Sequence, residues 1–131
     1  MDPNDARHRL AGAWKLIAYE DRETESAEWS ATFGDDAVGL AVYEIGGALS
    51  IQIMPGPDAE SGYLGYFGTY AITEARSSDS GIVGVVEHRV EGSTHPELVS
   101  TGGRPFELTD NRLMLGDGRT WRRILERIPP S

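Results

Sequence analysis

Eight short runs of β-favouring residues follow one another along this chain, with turn-forming segments between them, and that rhythm restricts the fold more than any other feature. The runs are Ala13 to Thr24, Val38 to Glu44, Leu49 to Met54, Tyr63 to Thr73, Ile82 to Ser93, Arg104 to Thr109, Arg112 to Leu115 and Thr120 to Ile128. Gly46-Gly47, Ser77 to Gly81, Asp110-Asn111 and Gly116-Asp117-Gly118 carry tight-turn chemistry, so most neighbours are expected to be hairpin partners in an antiparallel meander. Two connections are longer: Glu25 to Ala37, with Trp29 and Phe33 too apolar for an idle loop, and Met54 to Gly62, with Pro55-Gly56-Pro57. Consecutive antiparallel strands in this number can close on themselves and lose both exposed edges, leaving room inside for packed side chains or one small ligand. The expected fold is therefore all-β, an eight-stranded antiparallel up-and-down β-barrel, with an open sandwich as the alternative. A short N-terminal helix should precede it, with Asp2 as N-cap, Pro3 at the first helical position and Gly12 as the stop.

Composition narrows the chemistry. The 131 residues fit one domain, 1–131, and the absence of cysteine excludes disulfides, thiolate metal sites and cysteine nucleophiles. With 12 basic against 21 acidic side chains, a net charge of −9 argues against nucleic acid or an anionic membrane as partner. Arg119, Arg122 and Arg123 form the only basic cluster and read as a solvated strand face. The N-terminus lacks the basic and then apolar regions of a secretory signal, and the longest apolar stretches, Val38 to Tyr43 and Ile82 to Val86, fall far short of the roughly 20 residues that span a bilayer. A soluble, cytoplasmic protein is the expectation. Motifs for dinucleotides, phosphates, calcium, zinc proteases and serine hydrolases are all missing, and no cofactor is expected.

Strand parity suggests what faces inward. Ile82, Gly84, Val86, His88 and Val90 share one face while Glu87, Arg89 and Glu91 share the other, so His88 should point into the barrel. There it is either a core histidine hydrogen-bonded to a tyrosine or carbonyl, or a ligand-contacting, proton-transferring group. Zinc held by His88, His95 and a glutamate is disfavoured, because Glu87 and Glu91 lie on the opposite face. In the preceding strand the face bearing Leu64, Tyr66, Tyr70 and Ile72 is taken as inner, which brings the tyrosines toward His88. Leu49, Ile51 and Ile53 should form an apolar wall, with Gln52 outside or turned inward toward a polar ligand group. Glu20 shares parity with Trp14, Leu16 and Ala18; it is either a rim carboxylate or a general base. Glycines 39, 62, 65, 68 and 84 inside or beside strands either permit curvature and close approach or spare volume for a ligand.

Taken in order, Gly12-Ala13-Trp14-Lys15-Leu16-Ile17-Ala18-Tyr19-Glu20, Phe33-Gly34 with Val38-Gly39, Ser50-Ile51-Gln52-Ile53-Met54, Tyr66-Phe67-Gly68-Thr69-Tyr70, His88-Arg89-Val90-Glu91-Gly92-Ser93 and Leu125-Glu126-Arg127 resemble the bacterial and fungal lipocalin-like domain. The resemblance implies a calycin-type barrel with an internal cavity. It also implies that Trp14 closes the barrel floor and that Arg127 covers it by cation–π stacking. Members are mostly treated as small-molecule binders, and some relatives are isomerases or cyclases of natural-product pathways. Arg89 stands where many relatives carry a second histidine, and a short Pro55 to Gly62 segment implies an open mouth or one closed by a second subunit in a homodimer.

Three functions are consistent with these residues. The first is binding of a small hydrophobic molecule, with Leu16, Ile51, Leu64 and Val86 as apolar wall and His88, Tyr66, Tyr70 and Gln52 as polar contacts. The second is a cofactor-independent isomerase, cyclase or dehydratase in which His88 or Glu20 moves the proton and Tyr66 or Tyr70 steadies developing oxyanion charge. The third is a structural module with a filled core.

Overall fold

The structure is a computed structural model that describes residues 1–57, 59 and 62–130. Helix α1 (Pro3–Leu10) begins as expected, the Asp2 carboxylate accepting from the Asn4 amide. It ends at Leu10, one residue before the expected stop is reached, and Gly12 instead opens the first strand with φ +137°. The strands are β1 (Gly12–Asp21), β2 (Ser30–Ala31), β3 (Val38–Tyr43), β4 (Ala48–Met54), β5 (Leu64–Ser77), β6 (Ile82–Ser93), β7 (Thr101–Thr109), β8 (Arg112–Leu115) and β9 (Trp121–Arg127). A 3₁₀ turn, Pro96–Leu98, lies between β6 and β7.

From β3 to β9 every strand pairs antiparallel with the next, β1 pairs with β3, and β1 also pairs with β9, so the sheet closes. The result is an eight-stranded barrel of meander connectivity, with the two-residue β2 added beside the end of β1. Closure leaves the barrel strands with no long unpaired edge. Among the described residues no helix is long and apolar enough to cross a membrane. Asp58, Glu60 and Ser61 of the expected Met54 to Gly62 connection lie outside the described residues.

The floor is built where β1 starts and β9 ends. Trp14 is fully buried, its indole N–H donates to the Leu10 carbonyl at 2.9 Å, and the Arg127 guanidinium lies 4.3 Å from the ring centroid. Arg127 also donates to the carbonyls of Arg9 and Ala11, which ties the helix to the last strand. Ala6 and Leu10 of α1 complete the plug, both buried against the core.

Two glycines show why these strands curve. A Cβ at Gly68 would stand 1.9 Å from the Arg89 carbonyl oxygen, and one at Gly84 would stand 2.0 Å from that of Glu74. Each lies beside an interruption of the β5–β6 register, between Phe67 and Gly68 and between Ile72 and Glu74. The bulges bring backbones too close for any side chain, so these glycines serve curvature and do not hollow out the interior.

The Glu25 to Ala37 connection is packed, as its aromatics required. Phe33 is buried edge-on against Tyr19, with ring centroids 4.8 Å apart, and Trp29 is held between the guanidiniums of Arg22 and Arg122 at 4.0 and 4.1 Å.

Candidate functional site

Inside the barrel the core divides into two levels. Near the helix-covered end, Trp14, Tyr43, Ile82, Leu113 and Val86 are all fully buried. Above this floor runs a chain of hydrogen bonds through His88. Its Nε2 meets the Tyr43 hydroxyl at 2.8 Å and its Nδ1 meets the Tyr66 hydroxyl at 3.1 Å. A neutral imidazole has one donor and one acceptor, so one tyrosine donates to it and the other accepts from it. Burial, followed by the nearby Arg104 cation, lowers the His88 pKa from 6.5 to about 3, which keeps the ring neutral at physiological pH. Tyr70 takes a separate path, its hydroxyl donating to the Glu44 carbonyl at 2.8 Å while its ring meets Tyr43 edge-on.

On the far side of Tyr66 the interior opens into a cavity of about 370 Å³. That volume lies within the roughly 300–1,000 Å³ of small-molecule sites. Leu16, Ile51, Ile53, Leu64, Leu115 and Leu125 supply apolar walls, and Leu98 of the 3₁₀ turn borders the space. The lining residues of β4, β5, β7 and β9 that lie nearest the strand ends, Ile53, Leu64, Gly103 and Trp121, mark the end of the barrel opposite α1 as the mouth. A filled structural core is therefore ruled out as a description of this end of the barrel.

The polar side chains on the cavity are Tyr19, Tyr66, Arg104, Trp121 and Arg123. Arg104 reaches it because it shares the inner face of β7 with Phe106 and Leu108. Its guanidinium donates to the Gly102 carbonyl at 2.7 Å and adjoins the Tyr66 hydroxyl, and among the described residues it has no carboxylate within 4.0 Å. Burial pushes the Tyr66 phenol up to about 12, with Arg104 pulling against it. Arg123 lies 3.5 Å over the Tyr19 ring, 5.1 Å from the Trp121 ring, and bonds Asp21 at 3.2 Å. Burial raises the Tyr19 phenol as well, and both arginines oppose the rise; the two cations and two phenols all border the cavity.

Of the residues singled out from sequence, Leu16, Ile51, Leu64 and Tyr66 border the cavity. Val86 and His88 point inward but lie beneath it, outside its lining, and the Tyr70 hydroxyl is spent on a backbone carbonyl. Gln52 stays on the outer face of β4 beside Ser50, to which its amide donates at 3.3 Å. Glu20 corrects the parity expected for β1. The pairing of β1 with β9 slips between Leu16 and Ala18, inserting Ile17 as an extra residue, so Tyr19 turns inward and Glu20 outward. Glu20 then pairs with Arg122 at 2.8 Å.

The basic cluster is corrected by the same register. Adjacent strand residues face opposite sides, so Arg122 meets Glu20 outside and Arg123 enters the cavity, while Arg119 is exposed near Glu25. Sequence reasoning also passed over Tyr43, whose strand is apolar on both faces, and Arg104. Phe106 and Leu108, two and four residues after Arg104, carried the parity signal that would have found it.

The closed eight-stranded antiparallel barrel is consistent with the calycin-type fold that the resemblance implied. A comparison with protein-family models finds no match, and neither does a comparison with curated proteins.

Proposed function

We propose that this protein binds a small, largely apolar molecule within the barrel. The observation that supports the reading is the cavity itself: about 370 Å³ walled by leucine and isoleucine, above a floor of fully buried side chains. A barrel that gained only stability from its interior would fill that space, since each buried methylene left out forfeits about 0.8 kcal/mol. A few polar groups set among apolar walls are what orient a small ligand.

Catalysis by an isomerase, cyclase or dehydratase needs a base in contact with the cavity. His88 stands behind Tyr66 with both nitrogens bonded, and Glu20 is on the outer surface, so binding is the reading we favour.

The neutral dye N-phenylnaphthylamine, which brightens in apolar surroundings, tests this reading. Saturable binding to the wild-type protein is expected. Leu64→Trp, which puts a larger side chain into the cavity wall, should weaken it by roughly tenfold or more, equivalent to about 1.4 kcal/mol. Unaltered affinity in a folded Leu64→Trp protein would remove the dye, and the proposed ligand with it, from the cavity.

A further inference from the structure

Resting on the binding reading above, we propose that the ligand is an amphipathic monocarboxylate, its carboxylate held by Arg104 and Arg123 beside the Tyr66 hydroxyl and its hydrocarbon body lying against Leu16, Leu64 and Leu125. The charge balance around the cavity is the observation that carries the proposal. Two guanidiniums border the cavity, and among the described residues one carboxylate, that of Asp21, answers them. Asp21 is engaged by Arg123 at 3.2 Å and by the Thr32 hydroxyl, which leaves Arg104 with no counter-ion among the described residues. Among the described residues the cavity lining thus carries one uncompensated positive charge, in a protein whose net charge is −9.

A half-buried cation without a partner is costly, and among the described residues no carboxylate lies within 4.0 Å of this one. One incoming carboxylate completes the balance. Arg104 spends one donor on the Gly102 carbonyl, and the planar fork of the guanidinium retains N–H groups for a bidentate contact with two carboxylate oxygens. The Tyr66 hydroxyl, bonded to His88 Nδ1, adds a fixed polar group to the cavity lining. A neutral alcohol of the same size fills the apolar part equally well but leaves the cation unanswered.

Displacement of N-phenylnaphthylamine by octanoate and by octanol, below the concentration at which either aggregates, separates these cases. Octanoate is expected to compete at roughly ten- to hundredfold lower concentration than octanol, the factor given by one or two charge-assisted hydrogen bonds. Arg104→Leu should abolish the preference, octanoate and octanol then competing at similar concentrations on that variant, and Arg104→Lys should retain part of the preference because the charge remains. Equal competition by octanoate and octanol in the wild-type protein would overturn the carboxylate assignment while leaving the apolar-ligand reading intact. A preference that survives Arg104→Leu would overturn the role given to Arg104. If the dye itself fails to bind, the binding reading falls and takes this proposal with it. The wild-type comparison depends on no variant, so a misfolded substitution does not shelter the proposal.

Discussion

Trp14→Ala is expected to lower stability by about 3–5 kcal/mol, the cost of deleting a fully buried aromatic side chain. The indole touches three things at once: the core of β1, the Leu10 carbonyl through its N–H, and the Arg127 guanidinium over its face. Losing the ring also strips Arg127 of a cation–π partner worth about 0.5–2 kcal/mol, although its bonds to the Arg9 and Ala11 carbonyls remain. The helix should feel the change most, because α1 has only eight residues and is marginal without the plug it forms on the barrel floor. Amide exchange across residues 3–10 should therefore accelerate in Trp14→Ala relative to exchange in β5 and β6. Trp14→Phe, which keeps most of the buried area and gives up the hydrogen bond, should cost about 1–2 kcal/mol. A helix that stays protected in Trp14→Ala would show that the floor is held by something other than this residue.

The second large effect is a pH dependence centred on His88. In the folded protein its pKa is lowered from 6.5 to about 3, so between those values the unfolded chain binds a proton that the folded chain refuses. Stability therefore rises with pH across this window; the contribution is fully present above pH 6.5 and is lost as pH falls toward 3. At about 1.4 kcal/mol per pH unit, the loss on going from pH 7 to pH 4 is on the order of 3 kcal/mol. His88→Leu cannot show this loss. It leaves the Tyr43 and Tyr66 hydroxyls short of a partner, each at a cost of about 1–3 kcal/mol, so the variant is less stable at pH 7. Urea midpoints should then converge as pH falls, with wild-type protein losing its advantage by about pH 4. Asp117, whose carboxylate accepts bonds from the amides of Arg119, Thr120 and Trp121 in the β8–β9 turn, is held well below the usual carboxylate range. It destabilises both proteins alike in acid, so it does not affect the comparison. Parallel pH profiles for wild type and His88→Leu would contradict a neutral, buried His88.

The barrel was legible because its signals are local and repeated. Turn chemistry at Gly46-Gly47, Asp110-Asn111 and Gly116-Asp117-Gly118 joins β3 to β4, β7 to β8 and β8 to β9, and the charged outer face of β6 fixes its inner face without ambiguity. Trp14 and Arg127 came from the resemblance and meet as it implied. The cavity wall was less legible, for three separate reasons. A bulge at Ile17 changes which residues of β1 face inward, and a one-residue insertion leaves no mark on an apolar stretch such as Leu16-Ile17-Ala18-Tyr19. Arg122-Arg123 looks like a single basic patch when read as composition and becomes an outer and an inner residue only once β9 is paired with β1. His88 was placed inward correctly, but its distance from the cavity depends on Tyr43, supplied by a strand three positions earlier in the order of pairing around β3, β4, β5 and β6, which periodicity does not report. Apolar cores follow from alternation; the few polar groups that enter them are set by register.

Occupancy of the cavity is tested most directly by methyl NMR of the wild-type protein titrated with N-phenylnaphthylamine. Large shifts are expected at the methyls of Leu16, Ile51, Leu64 and Leu125, which line the cavity, with little change at Ile82 and Leu113 in the packed floor. Shifts confined to the exposed outer methyls of Val38 and Met54, with the cavity-lining methyls unmoved, would contradict binding inside the barrel.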